Sequence, residues 1–319
     1  MVHNKIISEV GINMEKHKSY SAYAASLLSS LFIGFSFLFV KISLEFTTPV
    51  DLLAHRFIFA FVGVFAYKVI TGTKLNISAK NIKYMVLVGL LYPVVYFALQ
   101  TYAMLFISSS EAGIIQATLP VFTVIVARFF LKEKTGIIQN MGIILSVSGV
   151  IFLQIINRVS GDMSVVGTLL IISAVLTFTF YQMLSKKLMR IFSVFDISFG
   201  AICMGAVFMN AFAISIHMTG NTLHMYTEPL FNSRYLLVAA YLGVLSTFGT
   251  SILNIYSISK LSVTQVSVFN NFSTLITVIA GVVILKEAFT MKHFIGIVLV
   301  LAGVVLVNYF SEDGKKNNG

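Results

Sequence analysis

The segments FLKEKTGIIQNMG, residues 130–142, and ILKEAFTMKHFIG, residues 284–296, say nearly the same thing twice in one chain. Glu133 and Glu287 stand 154 residues apart. At that offset positions 131–150 match 285–304 at Leu131, Lys132, Glu133, Gly142, Ile143, Leu145, Gly149 and Val150. Apolar coincidences are cheap in an apolar chain, but a Lys-Glu pair and two glycines in register are not. Gly89 and Tyr102 meet Gly243 and Tyr256 at the same spacing. Nearer the N-terminus the offset falls to about 145, aligning Asp51 with Asp196 and Lys41 with Lys186. The chain reads as a duplicated unit.

Composition names the solvent of that unit. Of 319 residues, 57% are hydrophobic and 11% charged, whereas soluble domains carry roughly 25% charge. So few charges cannot furnish a soluble exterior, and lipid is expected instead. Windows of about twenty apolar residues, enough to cross a hydrocarbon core, occur ten times. They lie near 22–44, 50–71, 83–107, 111–131, 137–156, 164–185, 194–217, 235–258, 263–285 and 291–310. Five spans per unit is an odd number, so the second copy enters the membrane from the opposite face. The expected fold class is an all-α integral membrane protein, with ten transmembrane helices arranged as two inverted five-helix repeats. The expected divisions are a cytosolic tail over 1–21, the first repeat over 22–156, the second over 157–310 and a cytosolic tail over 311–319.

With the N-terminus inside, 16 lysines and arginines fall in inner connections and 5 at outer ends, with Arg56 within a span. That bias places both termini in the cytosol. It also accounts for the net charge of +10. The basic residues alternate with apolar spans rather than forming one face or arm, so nucleic acid is not an expected partner. The first twenty residues lack the apolar core and cleavage site of a signal peptide. Cys203 is the single cysteine, which excludes an intrachain disulfide.

Inverted duplication is typical of secondary transporters, whose solute sits near the midplane between halves that alternate access. The segments PVFTVIVARFFLKEKTGIIQNMGIILSVSGVIFL (120–153) and VILKEAFTMKHFIGIVLVLAGVVLV (283–307) resemble EamA-type transporters of the drug/metabolite transporter superfamily. The likeness covers nearly the whole chain: ten spans, Pro120 in span four, a Leu-x-Glu at each fourth-to-fifth junction and Arg56 early in span two. Thr274 departs from it, standing where Pro120 has its counterpart. The resemblance implies a cavity lined by spans one to four and six to nine, with five and ten peripheral. It further implies export of small organic metabolites such as amino acids across a bacterial cytoplasmic membrane. A homodimer through the peripheral helices is left open.

Intramembrane polar residues are costly unless they face protein or water. Gln100 with Asn254, and Gln116 with Asn270, occupy equivalent repeat positions and form candidate polar rings above and below a midplane site. Phe39, Tyr96 and Tyr181, with Phe35 and Tyr92, are candidate cavity walls. Arg56 is a candidate for a carboxylate or phosphate, or pairs structurally with Asp51 or Glu45. Lys41 and Glu45 are spaced as an i,i+4 ion pair. Glu133 and Glu287 read as structural junctions before each unit's last helix, with Thr135 and Thr290 as caps, and the Gly142/Gly149 and Gly296/Gly303 pairs as helix contacts. No acidic residue lies at a span centre, which disfavours a proton-coupled antiporter of that type. The chain has no Walker loop, HExxH or Cys/His cluster, so no cofactor, metal or catalytic residue is expected. The alternative is a polytopic membrane enzyme acting on a lipid or isoprenoid, with His217, His224 and Glu228 as its only candidate cluster.

Overall fold

The computed structural model describes residues 2–77, 81–131, 136–160 and 164–316, and among them every regular element is helical. In chain order the long helices are α1 (Val2–Ser43, apolar from Tyr20), α2 (Pro49–Thr71), α3 (Ile82–Ala103), α4 (Ser109–Val126) and α5 (Ile137–Ser160). They continue as α6 (Val165–Leu188), α7 (Val194–Gly220), α8 (Ser233–Lys260), α9 (Val263–Ile284) and α10 (Met291–Lys316). Eight of these are long and apolar enough to cross a membrane. The apolar parts of α5 and α10, Asn140–Leu153 and His293–Leu306, are shorter. With their lipid-suited surface they make an all-α integral membrane protein.

Local chemistry sets the helix starts. Thr48 accepts from the Asp51 N–H ahead of Pro49, and Ser193 forms a capping box with Asp196. Ser108 and Ser262 cap α4 and α9 in the same way. Hydroxyl caps satisfy amides that a helix cannot pair itself. They recur at the repeat spacing, Thr48 with Ser193 and Ser108 with Ser262. So do the interruptions. α3 widens over Leu90–Val95, where Tyr92 is extended (φ −142°, ψ 122°), and α8 widens over Tyr241–Gly249. α4 breaks after Gln116, and α9 breaks at Asn270.

Each half packs into the other. α1 lies on α8 and α9, while α6 lies on α3 and α4. Equivalent helices meet across the middle as α2 with α7, α4 with α9 and α5 with α10. α2 and α7 run antiparallel. Asp51, at the start of α2, meets His217 near the end of α7, and Asp196, at the start of α7, accepts from the Asn76 N–H beyond the end of α2. Glycine permits the closest approaches: a Cβ on Gly243 would lie 2.6 Å from the Arg56 carbonyl of α2. The matched Gly89 faces the matched carbonyl, that of Ala201 on α7. Where Pro120 has no twin, Thr274 donates its hydroxyl to the Gly113 carbonyl at 2.9 Å and ties α9 to α4.

The glycine pairs do bring α5 against α10. A Cβ on Gly303 would stand 2.4 Å from the Ser146 N and 2.6 Å from the Gly142 carbonyl, both backbone. Backbone cannot move aside cheaply, so Gly303→Ala should cost about 1–3 kcal/mol. A lowered thermal midpoint of the purified protein in detergent is the expected reading, and an unchanged midpoint refutes this packing.

Candidate functional site

A cavity lies in the middle of the bundle, with about 350 Å³ of empty space. Side chains divide it so closely that its free part has room for about one water molecule. Its twelve lining residues form six pairs at the repeat spacings: Ile33 with Phe178, Ser36 with Tyr181, Tyr92 with Ser246, Tyr96 with Thr250, Phe97 with Ser251, and Gln100 with Asn254. They come from α1 and α3 of one half and from α6 and α8 of the other. The cavity therefore sits where the two halves meet, and matched positions supply its whole lining.

Five of the pairs join an aromatic residue to a small or aliphatic one, so the walls differ. α3 and α6 build an aromatic wall, with ring centroids 4.6 Å apart for Tyr92 and Tyr181 and 5.2 Å for Tyr96 and Phe178. α1 and α8 build a wall bearing the hydroxyls of Ser36, Ser246, Thr250 and Ser251. Tyr92 reaches across to Thr250 at 3.3 Å. Gln100 Oε1 and Asn254 Nδ2 are buried without a partner among the described residues, and Gln182 Nε2 donates to Asn254 Oδ1 at 3.2 Å.

Arg56 lies directly behind the hydroxyl wall and is fully buried. It does not pair with Asp51 or Glu45. Its Nε donates to Thr247 Oγ1 at 2.7 Å and its Nη2 to Ser246 Oγ at 2.9 Å, with Ser36 Oγ at 3.5 Å. Its Cζ stands 3.5 Å over the Phe97 ring. Asp51 sits a turn and more away, where its Oδ1 accepts from His217 Nε2 at 2.8 Å and its Oδ2 from the Thr48 hydroxyl. In the neutral ring that leaves His217 Nδ1 to accept from Thr222 at 2.8 Å. His55 Nδ1 bonds the Tyr235 hydroxyl at 2.7 Å. On the short helix Leu223–Thr227, burial and nearby Asp51 push the Tyr226 phenol up to about 12, so it stays a donor to Asn210 Oδ1.

At each end of the bundle a lysine binds carbonyls at a helix terminus. At one end Lys41 Nζ donates to the Met104 carbonyl at 2.7 Å and to that of Ile107 at 3.1 Å. This replaces the expected pairing with Glu45, because α1 stops at Ser43 and the chain turns before the i+4 position. At the other end Lys186 Nζ donates to the carbonyls of Ile258 and Leu261. Every partner is matched: Met104 with Ile258 and Ile107 with Leu261 at 154, Lys41 with Lys186 at 145. Beside Lys41, Glu287 accepts four bonds at the start of α4. They come from Ser109 N (2.8 Å) and Oγ (2.7 Å) and from Ser110 N (2.9 Å) and Oγ (2.5 Å).

Of the residues singled out from sequence, Tyr92, Tyr96, Gln100, Tyr181 and Asn254 meet in the cavity, with Arg56 behind it. Gln116 and Asn270 fall at the breaks of α4 and α9. Gln116 Nε2 reaches the Tyr96 hydroxyl at 3.5 Å, and both polar atoms of the Asn270 side chain are unpaired among the described residues. Phe39 lies off the cavity, against Tyr241 at 4.5 Å. Glu133, with Lys132, Lys134 and Thr135, lies outside the described residues. Thr290 directs its N–H and hydroxyl to His293 Nδ1 ahead of α10. His217 Nε2 binds Asp51 Oδ1, while His224 and Glu228 are exposed. Sequence reasoning missed Phe97, Phe178 and the hydroxyls of α8; the run STFGTS at 246–251, dense in hydroxyls within an apolar span, was the available signal.

The EamA-like transporter family model matches residues 20–155 and again 165–309. An uncharacterized transporter of Bacillus subtilis (strain 168), YcxC, is 38% identical over 96% of this chain and 98% of its own length. An uncharacterized transporter of Archaeoglobus fulgidus is 25% identical over 88% of this chain and 96% of its own. A protein crystal structure superposes with a TM-score of 0.66 at 16% identity, covering 93% of this chain and 99% of that one, and so speaks for the fold alone.

The bond between α2 and α7 is open to test. Asp51→Ala leaves His217 Nε2 and the Thr48 hydroxyl without their acceptor, at a cost of about 1–3 kcal/mol. The thermal midpoint should fall in Asp51→Ala and in His217→Ala, and by less than the sum of the two in the double variant. Strict additivity refutes the coupling.

Proposed function

The chain belongs to the EamA-like transporter family, and on that premise we propose how this membrane transporter works. It is a secondary transporter that exports small organic metabolites, with amino acids among the candidates, across the bacterial cytoplasmic membrane. It does so by alternating access between two inverted five-helix repeats, ten transmembrane helices in all. The repeats run over 22–156 and 157–310. The observation that carries this reading is the cavity lined by six matched pairs from both halves. A site on the symmetry axis between two antiparallel units is reached from either side by exchanging their conformations. The antiparallel run of α2 and α7 supports the inversion, and the distribution of lysine and arginine supports cytosolic termini.

Solute contact falls to Tyr96, Gln100, Tyr181 and Asn254. Gln116 and Asn270 serve at the breaks of α4 and α9, where helices bend most readily. Lys41 and Lys186 each bind carbonyls within their own half and travel with it. Glu287 differs, because it reaches from the second half to the start of α4 in the first. Opening that end requires its carboxylate to leave four donors, so Glu287 acts as a latch on the outer side.

Glu287→Gln removes the charge and replaces one acceptor oxygen with a donor, weakening charge-assisted bonds. In right-side-out vesicles, labelling of Lys41 by an impermeant amine reagent added outside should rise several-fold. Counterflow of a transported solute should slow in parallel. Reconstituted vesicles challenged with amino acids, sugars and organic acids identify that solute. Turnover of lipid with no solute movement overturns the carrier reading, and labelling of Lys41 only from the inside overturns the orientation.

A further inference from the structure

We propose that the cavity takes a solute of net negative charge, bound by its carboxylate through Arg56, and holds no carboxylate to pair with an ammonium group. The inference rests on the carrier reading above, whose cavity it uses, and it excludes zwitterions as the favoured cargo.

The charge balance carries it. Every partner of Arg56 is neutral: Thr247, Ser246, the distant Ser36 and the face of Phe97. Its Nη1 has no hydrogen-bond partner among the described residues. Hydroxyls and a ring face satisfy donors without cancelling a charge, and an uncompensated buried ion costs several kcal/mol. The described acidic side chains are placed elsewhere. Asp51 is held by His217 and Thr48, Asp196 caps α7, Glu287 clamps α4, Glu111 stands in the first turn of α4, and none lines the cavity. Arg56 is one half of an ion pair whose anion is absent among the described residues.

The fold does not require that charge. At the repeat spacing Arg56 corresponds to Ala201, on a helix that makes the same glycine contact through the same carbonyl. One half builds this position with a methyl group and the other with a guanidinium that bonds the cavity wall through Ser246. The geometry suits displacement by a ligand. A carboxylate binds a guanidinium through two parallel N–H bonds. Nη1 is free, and Nη2 is shared between one good and one long contact. Opposite lies the aromatic wall, so a carboxylate near Ser36 and Ser246 leaves the solute's apolar body against Tyr92 and Tyr181. An ammonium in the same cavity would meet hydroxyls, amides and ring faces but no carboxylate, with a like charge behind them.

Ligands that differ only in charge decide the matter. The purified chain in detergent is titrated with 3-phenylpropionate, phenylalanine and phenethylamine, and with the aliphatic set butyrate, 2-aminobutyrate and propylamine, while its thermal midpoint is followed. In at least one set the acid should bind at least about tenfold more tightly than the amino acid, the worth of one charge-assisted bond, and the amine should not bind. Arg56→Gln should lose that preference, and Arg56→Lys, which keeps the charge but not the fork, should retain part of it. If these variants do not fold, the series on the unaltered chain decides alone. An amino acid or amine binding as well as its acid overturns the inference, as does stabilisation by no acid, or acid binding unchanged in a folded Arg56→Gln. Counterflow separates the two readings. An acid that binds through Arg56 but never crosses the vesicle membrane removes the carrier reading and leaves the anion site. A transported amine with no acid binding does the reverse.

Discussion

In a hydrocarbon solvent no water rescues an unpaired backbone group, and the architecture of this chain answers to that constraint. A transporter needs helices that break and ends that open, yet each break and each end exposes amides or carbonyls. Here charged side chains take the place of water. Lys41 and Lys186 fold back onto carbonyls at and just beyond the C-terminal ends of α3 and α8, where the helix dipole is negative. Glu287 takes the first amides of α4, where it is positive. These three residues make the bundle's ends self-contained, and two of them mirror each other in every partner.

Duplication explains why the mirror is so complete at the ends and so broken at the centre. Caps, lysine anchors and glycine contacts serve folding and insertion, which both halves must accomplish alike, so the same chemistry recurs at 145 or 154 residues. The cavity serves a solute, and a solute has no twofold symmetry. In five of six pairs one partner is aromatic and the other small or aliphatic, so a symmetric frame encloses an asymmetric room. Only Gln100 and Asn254 keep the same chemistry across the axis.

This contrast also sets how much was legible beforehand. Helix positions follow from runs of apolar residues, and the repeat follows from Lys-Glu and glycine in register; both are local patterns. Tyr96, Gln100, Tyr181 and Asn254 could be singled out because polar or bulky residues within a span demand a reason. Phe97 and Phe178 could not, since phenylalanine is abundant and which face of a helix turns inward depends on neighbours far along the chain. The pairing of Lys41 with Glu45 failed for a similar reason. The i,i+4 rule holds only while the helix continues, and α1 ends two residues short. Repeat spacing applied to Ser36 and Tyr181 would have found a lining pair from sequence, had unlike residues been allowed to count as matches.

That last point bears on how inverted transporters are read. Identities across a repeat mark what both halves must share, and so they mostly mark scaffold: the caps, the lysine anchors and the glycines. Function gathers at the positions where the scaffold is matched and the side chains are not. Arg56 against Ala201 is the sharpest such difference, a buried cation opposite a methyl at one register of two equivalent helices. A mutation that charged a lipid-facing or core position without use would cost several kcal/mol. Its persistence in one half and absence from the other therefore point to a role that the fold itself does not impose. The place to look for chemistry in such a chain is where its two copies disagree.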